Sequence, residues 1–445
     1  MLWALEWAIT GAVLTYLPLY FAENGVDVEQ LGQLLAVSAV GLMVVPLAVG
    51  QVCDRWLATE KYLALSHFVG GVILICIPIA AHVHQRTGEH LTTLMVLVGL
   101  YAAAYFPTVP LATSLTFRHL PDPGAQFGKI RLWGTVGWAL AGLSLSLWLG
   151  RSSAYAWMTT RFPTWEPALA SLKGAFSWLT PPSSDDCFRI AALLSFALST
   201  FCVFLPSTPP ARSEGKVIAP LKTLALFRNG SFALLIAVSF LLALVVPLYT
   251  LQMPKLLEQL GFAPDWVPAV MVIGQISEFP ALLLLPFCLK RFGLKTTFAL
   301  GMGAWLLRYA FFALEGPTWL ILTGIGLHGV CHVFLIIVIQ LFVDSRCSYD
   351  IRASAQNLFA FITMGIGMPI GFLLGGRFGR LCLNEQTGLT NYHWLFAAPA
   401  VLIFIVMAGY WRWFRLDPHD RYAGESELVD PDAGPFSEDA PRLAQ

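Results

Sequence analysis

Few side chains in this sequence could carry charge or a proton inside an apolar helix, and those few fall at helical spacings. Gln275 and Glu278 stand three residues apart, with Pro280 just beyond. Residues at that spacing share a helix face, so an amide and a carboxylate point into one space. The carboxylate accepts from hydroxyls, the amide both donates and accepts, and the proline frees a backbone carbonyl nearby. That set suits a hydroxylated solute or a proton; the alternative is structural glue, with Glu278 paired to Arg308 or to another helix. Arg131, Thr135 and Trp138 form one stripe at i, i+4 and i+7. A tryptophan face stacks well on a planar ring; read blandly, Arg131 anchors a helix end and the rest is packing. His328 and His332 are again i, i+4. Imidazoles titrate near neutral pH and can carry a proton, or they pack through hydrogen bonds. The spacing also suits a metal, but no third or fourth ligand is evident in the sequence and no metal is expected. Glu6 is either a second proton site or a carboxylate near the cytoplasmic interface. His67 reads as packing, and Arg308 is expected to pair with a carboxylate.

These groups matter because of what surrounds them. Of 445 residues, 57% are hydrophobic and only 12% charged, about half the charge of a soluble protein. Mean hydropathy is +0.67. A bilayer core needs roughly 20 apolar residues per helix, and twelve such runs are present, near 2–22, 29–52, 61–83, 91–114, 129–150, 187–205, 231–252, 266–288, 296–314, 318–342, 353–376 and 392–412. They are apolar all round rather than alternating, which favours helices over a barrel. The reading is an all-α integral membrane protein, and it excludes a soluble enzyme, a disordered chain and a nucleic-acid binder; the net charge of +0 offers no basic field. A charge in such a helix costs about 2.5–3.5 kcal/mol on insertion scales, so each one is a functional candidate by default.

The first run starts at Met1 with no basic segment before it and no small-residue cleavage site after it, and reads as a spanning helix rather than a leader; the missing tail before it puts the start codon in question. Lysines and arginines crowd one set of loops (Arg55, Lys61, Arg118, Lys129, Arg212, Lys290, Arg291, Arg346 and Arg412 among them). By the positive-inside rule that side is cytoplasmic, and both termini face it. Residues 1–205 make an N-terminal six-helix bundle with a long outer loop at 151–186, whose Trp157, Trp165 and Trp178 suit the membrane interface. Residues 206–230 are a cytoplasmic linker, 231–412 a second six-helix bundle, and 413–445 an acidic, proline-rich tail expected to be disordered. Eight cysteines fit neither a disulfide framework nor metal spacing; a Cys187–Cys382 bridge is the one pairing the topology allows. Gly367, Gly371 and Gly375 recur every four residues, as in close helix packing or a hinge.

The halves echo each other, as in two-bundle transporters. Asp54-Arg55-Trp56 follows the second run and Lys290-Arg291-Phe292-Gly293 the eighth; Ile130-Arg131 opens the fifth and Ile351-Arg352 the eleventh. The Asp54-Arg55-Trp56 loop resembles the signature of the major facilitator superfamily. Asp54-Arg55-Trp56-Leu57, Tyr105-Phe106-Pro107-Thr108, Ile130-Arg131-Leu132-Trp133-Gly134-Thr135, Gln275-Ile276-Ser277-Glu278, Ala304-Trp305-Leu306-Leu307-Arg308 and Ile351-Arg352-Ala353-Ser354-Ala355-Gln356 resemble its nucleoside:proton symporter family, in the family's order. The resemblance implies a substrate-site amide and carboxylate at Gln275 and Glu278, and an arginine, hydroxyl and aromatic at Arg131, Thr135 and Trp138. It implies gating charge contacts at Asp54 and Arg55, whose other reading is a plain topology marker. Two departures touch specificity. The family's aspartate is Val333 here, with its tyrosine at His328 and the aromatic before the aspartate at His332. In the seventh helix the family's glutamine and asparagine fall on Val246 and Tyr249, and Tyr249 with Gln252 stand in for them beside Pro247.

The expected function is proton-coupled uptake of nucleosides by alternating access, with substrate contacts from Arg131, Thr135, Trp138, Tyr249, Gln252, Gln275, Glu278, His328 and His332. Protons are expected on Glu278, His332, His328 or Glu6. The alternatives are a carrier of another small polar solute (a sugar, a purine base or an organic anion) and a non-transporting membrane sensor. No nucleotide-binding loop or catalytic motif occurs, so no enzyme activity and no cofactor are expected. The partners are a small solute, protons and lipid, and the chain is expected to act as a monomer in the inner membrane.

Overall fold

The computed structural model of the chain describes residues 1–121, 123–175, 181–209, 225–346 and 352–415. Inside a bilayer the backbone has no water to bond to, so every N–H and C=O must be satisfied within the segment. Twelve helical columns do this: α1 (Leu2–Glu23), α2 (Val28–Arg55), α3 (Thr59–Thr87), α4 (Leu91–His119), α5 (Gln126–Leu149), α6 (Asp186–Val203), α7 (Gly230–Gln259), α8 (264–292), α9 (294–313), α10 (Thr318–Val343), α11 (Ala355–Leu381) and α12 (Tyr392–Trp413). α8 and α9 follow without a loop, over 50 residues. Straight, that stretch would be about 75 Å long, more than twice the bilayer core. It folds back at Gly293, whose φ of 73° is open to glycine at no steric cost.

Polar caps fix where helices begin. Asp27 and Gln30 close a reciprocal capping box on α2, Gln30 N donating to Asp27 Oδ1 at 2.8 Å. Asn229 and Asn391 cap α7 and α12 by single bonds, accepting from the backbone N–H groups of Phe232 and Trp394.

The columns form two bundles of six. In the first, α3 is tied to α6 by Ser195 and Ser199, whose hydroxyls donate to the carbonyls of His67 and Ala64 at 2.7 and 2.6 Å. In the second, Gly367, Gly371 and Gly375 of α11 all lie against α7, and a Cβ at Gly371 would fall 2.5 Å from the Leu244 carbonyl oxygen. Among the described residues the bundles meet chiefly along two seams. α2 crosses α11 at Gly32 and Gly376, with backbone nearly touching backbone. α5 meets α8 where Ala269 N donates to Ser146 Oγ at 2.9 Å. Both seams lie toward the face that carries the turns after α1, α5, α7 and α11. Across that face Arg380 reaches Asp27 at 3.2 Å and Glu29 at 3.8 Å.

Three expectations change. The 151–186 segment is not a bare loop: it holds helices at Arg151–Arg161 and Glu166–Ala175. They bury little, which is why no apolar stripe announced them, and Trp157 and Trp165 are exposed. Cys187 and Cys382 are both free thiols, one in each bundle, because separately folded bundles do not bring them together. Glu6, read as a carboxylate near the interface, is fully buried. Trp178, much of the linker (210–224), Ile351 and most of the tail (416–445) lie outside the described residues, as do the side chains of Asp54, Arg55 and Arg352.

Candidate functional site

Two helices lose their regular hydrogen bonding where they cross. Pro280 has no N–H to offer the carbonyl of Ile276, and α8 lapses at Ser277, between helical segments Val267–Ile276 and Glu278–Ala313. α10 lapses at Leu327, between Thr318–Gly326 and His328–His332, and then widens into a π-helical turn at Val333–Ile337, a form that often marks functional sites. The lapses fit together: Gly329 N donates to Ser277 Oγ at 2.8 Å. A Cβ at position 329 would sit 2.1 Å from the Ser277 carbonyl oxygen, so only glycine permits the crossing.

This crossing sets Glu278 beside His328, Oε1 to Nε2 at 3.5 Å, with the side chains 14% and 19% exposed. His332 follows one turn on, its ring stacked on His328 at 5.7 Å between centroids. One ligand-capable atom from each of Glu278, His328 and His332 lies within 4.8 Å of the others. The sequence showed only the histidine pair; the third ligand type comes from another helix. His332 is exposed although it stands in the middle of α10. The charges of Glu278 and, from the other bundle, Arg131 are near enough to act on it. The space between the bundles is therefore open at this level.

Behind the histidines lies Arg308 of α9, 1% exposed. Its Nη1 donates to His328 Nδ1 at 3.0 Å, and its guanidinium carbon lies 3.7 Å from the centre of the Tyr249 ring. The expected carboxylate partner is thus an imidazole lone pair and an aromatic face, both able to hold a desolvated cation. Tyr249 also stacks on His328 at 6.2 Å, and its hydroxyl contacts Met271 Sδ at 3.4 Å.

The opposite wall is α5. The Arg131 guanidinium lies over Trp7 at 4.4 Å and Trp3 at 5.2 Å. Its charge and that of Glu278 interact across the two bundles. Thr135 is half-buried one turn on and Trp138 is buried. Gln275 is half-buried on the last turn before the α8 break. The sequence reading missed Trp3 and Trp7; their i, i+4 spacing on the helix that starts the chain is the signal that could have found them.

Two expected site residues lie elsewhere. Gln252 is 2% exposed and lines a separate cavity of about 560 Å³ toward the closed seams, with Asp27, Lys255 and Gln259. One helical turn beyond Tyr249 is enough to carry it out of the central space. Glu6 is enclosed within the first bundle: its Oε2 lies 3.0 Å from His67 Nε2, Thr108 Oγ1 donates to its Oε1, and Tyr105 donates to its backbone carbonyl at 2.5 Å.

Comparison with known proteins adds a family to this geometry. The model described as "Nucleoside H+ symporter" matches residues 1–162 and 165–419. The Escherichia coli (strain K12) protein YegT is 31% identical over 424 residues, covering 92% of this chain and 91% of that one. Nucleoside permease NupG of the same organism is 27% identical over 429 residues, covering 91% and 93%. The crystal structure of nucleoside transporter NupG superposes with a TM-score of 0.76 at 24% identity, covering 94% of this chain and 98% of that one. A D-xylose–proton symporter gives 0.66 at 15%, covering 92% and 95%. The fold is that of the major facilitator superfamily, two bundles of six helices.

Proposed function

Because this chain belongs to the nucleoside H+ symporter family, we propose that it imports nucleosides together with protons, by alternating access between its two six-helix bundles. One arrangement carries the mechanism: a carboxylate of the second bundle, Glu278, stands with two histidines of its own bundle, one of them exposed, and within electrostatic range of an arginine of the other. Such groups are costly in a membrane unless they work there.

The ionised carboxylate attracts Arg131 across the space and faces the His328 ring. A proton on Glu278 removes that attraction and leaves an O–H donor. A nucleoside brings ribose hydroxyls for Glu278 and Gln275, and a planar base for the aromatic wall on α1 and α5. Coupling requires that proton and solute bind one access state better than the other. The cross-bundle Glu278–Arg131 attraction supplies that difference, because its distance changes when the bundles rock. Val333 and Val246 leave base recognition to His328, His332 and Tyr249.

The Lys and Arg pattern favours both termini in the cytoplasm of a cell with the chain in its inner membrane. With that orientation the closed seams face outward and the site opens inward. Asp54 and Arg55 then lie at the cytoplasmic ends of helices, where charge contacts stabilise one access state. One chain holds the whole site and works as a monomer.

Labelled uridine uptake into proteoliposomes, with and without an inward proton gradient, tests the proposal. Gradient-driven accumulation is expected. Equal rates in both conditions would remove proton coupling; no uptake of any nucleoside would remove the substrate.

A further inference from the structure

Arg308 is the most completely buried charged group near the central space, and its reach is specific. It bonds one nitrogen of His328 and covers the ring of Tyr249, while Glu278 is paired with the other nitrogen of His328. Guanidinium has only donors and keeps its charge in proteins. The His328 Nδ1 at 3.0 Å must therefore be an acceptor. In a neutral imidazole the remaining proton then sits on Nε2, the nitrogen that faces Glu278 Oε1 at 3.5 Å. A second ring proton would have to break the Arg308 bond and set a second cation against a guanidinium that is itself sealed from water, where its charge is poorly screened.

We propose that Arg308 is a positioning residue that holds His328 as a fixed Nε2–H donor, leaving Glu278 and His332 to carry the transported proton. His328 then leaves the set of proton carriers that the sequence suggested and becomes a solute contact: an N–H that serves Glu278 in the empty site and a carbonyl or ring-nitrogen acceptor of the solute in the filled one. The proton passes from water to the Glu278 carboxylate, with exposed His332 beside it, and returns to water on the other side. The groups facing His328 are Arg308 from α9, Tyr249 from α7, Glu278 from α8 and His332 from its own helix. Cys331 lies close to Arg308 but brings no charge of its own as a thiol. Aromatic contact through Tyr249 keeps the guanidinium from turning toward Glu278, since stacking on that ring and bonding Nδ1 fix its plane.

The inference rests on the transport reading for its consequence but not for its first test. The full chain, labelled with 15N-histidine in detergent or nanodiscs, is titrated between about pH 5 and 8, and His328 is assigned by the signal lost in His328→Gln. In the wild type His328 is expected to show one protonated nitrogen and one bare nitrogen, with no second proton taken up across the range. In Arg308→Met, a similar volume without donors, Nδ1 loses its donor and the nearby cation, so the ring should take up a second proton more readily than in the wild type. Arg308→Lys, which keeps a cationic donor, should restore the flat behaviour. A wild-type His328 that titrates in this window, or that carries its proton on Nδ1, overturns the assignment, and this arm needs only a folded His328→Gln for the assignment and no transported solute. In uptake of labelled uridine, Arg308→Met should add a pH-dependent step that the Arg308→Met/His328→Gln double variant lacks. An Arg308→Met pH profile identical to wild type would overturn the role in coupling while leaving the nucleoside reading intact.

Discussion

Each bundle holds a carboxylate against a histidine, and the two pairs differ in their access to water. In the first bundle Glu6 meets His67 at 3.0 Å with both side chains sealed, 0% and 1% exposed, and Thr108 and Tyr105 complete the enclosure. In the second, Glu278 meets His328 at 3.5 Å with 14% and 19% exposed, beside an exposed His332 and across from Arg131. Identical chemistry gives a brace where water cannot reach and a candidate proton site where it can. A proton carrier must exchange with solvent on one side at a time, and the sealed pair offers no route in this arrangement. Accessibility, and not residue type, separates them.

The largest effect should come from breaking the sealed pair. Glu6→Ala leaves the buried His67 and Thr108 without their partner, and each buried polar group left unsatisfied costs about 1–3 kcal/mol. Thermal unfolding in detergent should show a large fall in Tm, with coupling unchanged in whatever protein folds; normal stability with lost coupling would reverse the comparison. Next comes Glu278→Gln, which keeps the shape but cannot exchange a proton. Gradient-driven accumulation of nucleoside should fall at least about tenfold, equivalent to about 1.4 kcal/mol, while exchange without a gradient persists. Wild-type accumulation in that variant would hand the coupling role to another group. Arg131→Lys keeps the charge facing Glu278 but loses the flat guanidinium over Trp3 and Trp7. Cation–π contacts are worth about 0.5–2 kcal/mol, so the solute Kd should rise between about twofold and thirtyfold; an unchanged Kd would mean that only charge matters on that wall. Smallest of all is Asp27→Asn, which removes the contact to Arg380 on the closed face. Exposed pairs contribute about 0–1 kcal/mol, so stability should shift by less than that and the shift should vanish in high salt. A larger change would make this bridge a latch rather than a rim contact.

Much of the fold was legible because a membrane simplifies the code. An apolar run long enough to cross has to be a helix, whatever its neighbours do, so the twelve crossings, and with the half-chain echoes the two bundles, followed from pattern alone. The helices of the 151–186 segment escaped because they bury almost nothing, and burial is what leaves a pattern. Within the site, the spacing that stacks His332 on His328 was visible because it is local to one helix. Local pattern failed where a partner lay on another helix. Arg308 pairs with an imidazole and a tyrosine ring, and Gln252 turns into a different cavity from Tyr249.

By itself, then, the sequence determined which segments enter lipid and which few polar side chains go with them, since the cost of stranding an N–H, a C=O or a charge in hydrocarbon depends only on the segment that carries it. Tertiary structure decided which of those side chains meet. The crossing of α8 and α10 at Ser277 and Gly329 brings Glu278 to the histidines, and the packing of α1 on α3 and α4 closes over Glu6. Pairing and access to water depend on distances between helices, and no spacing along one helix encodes those.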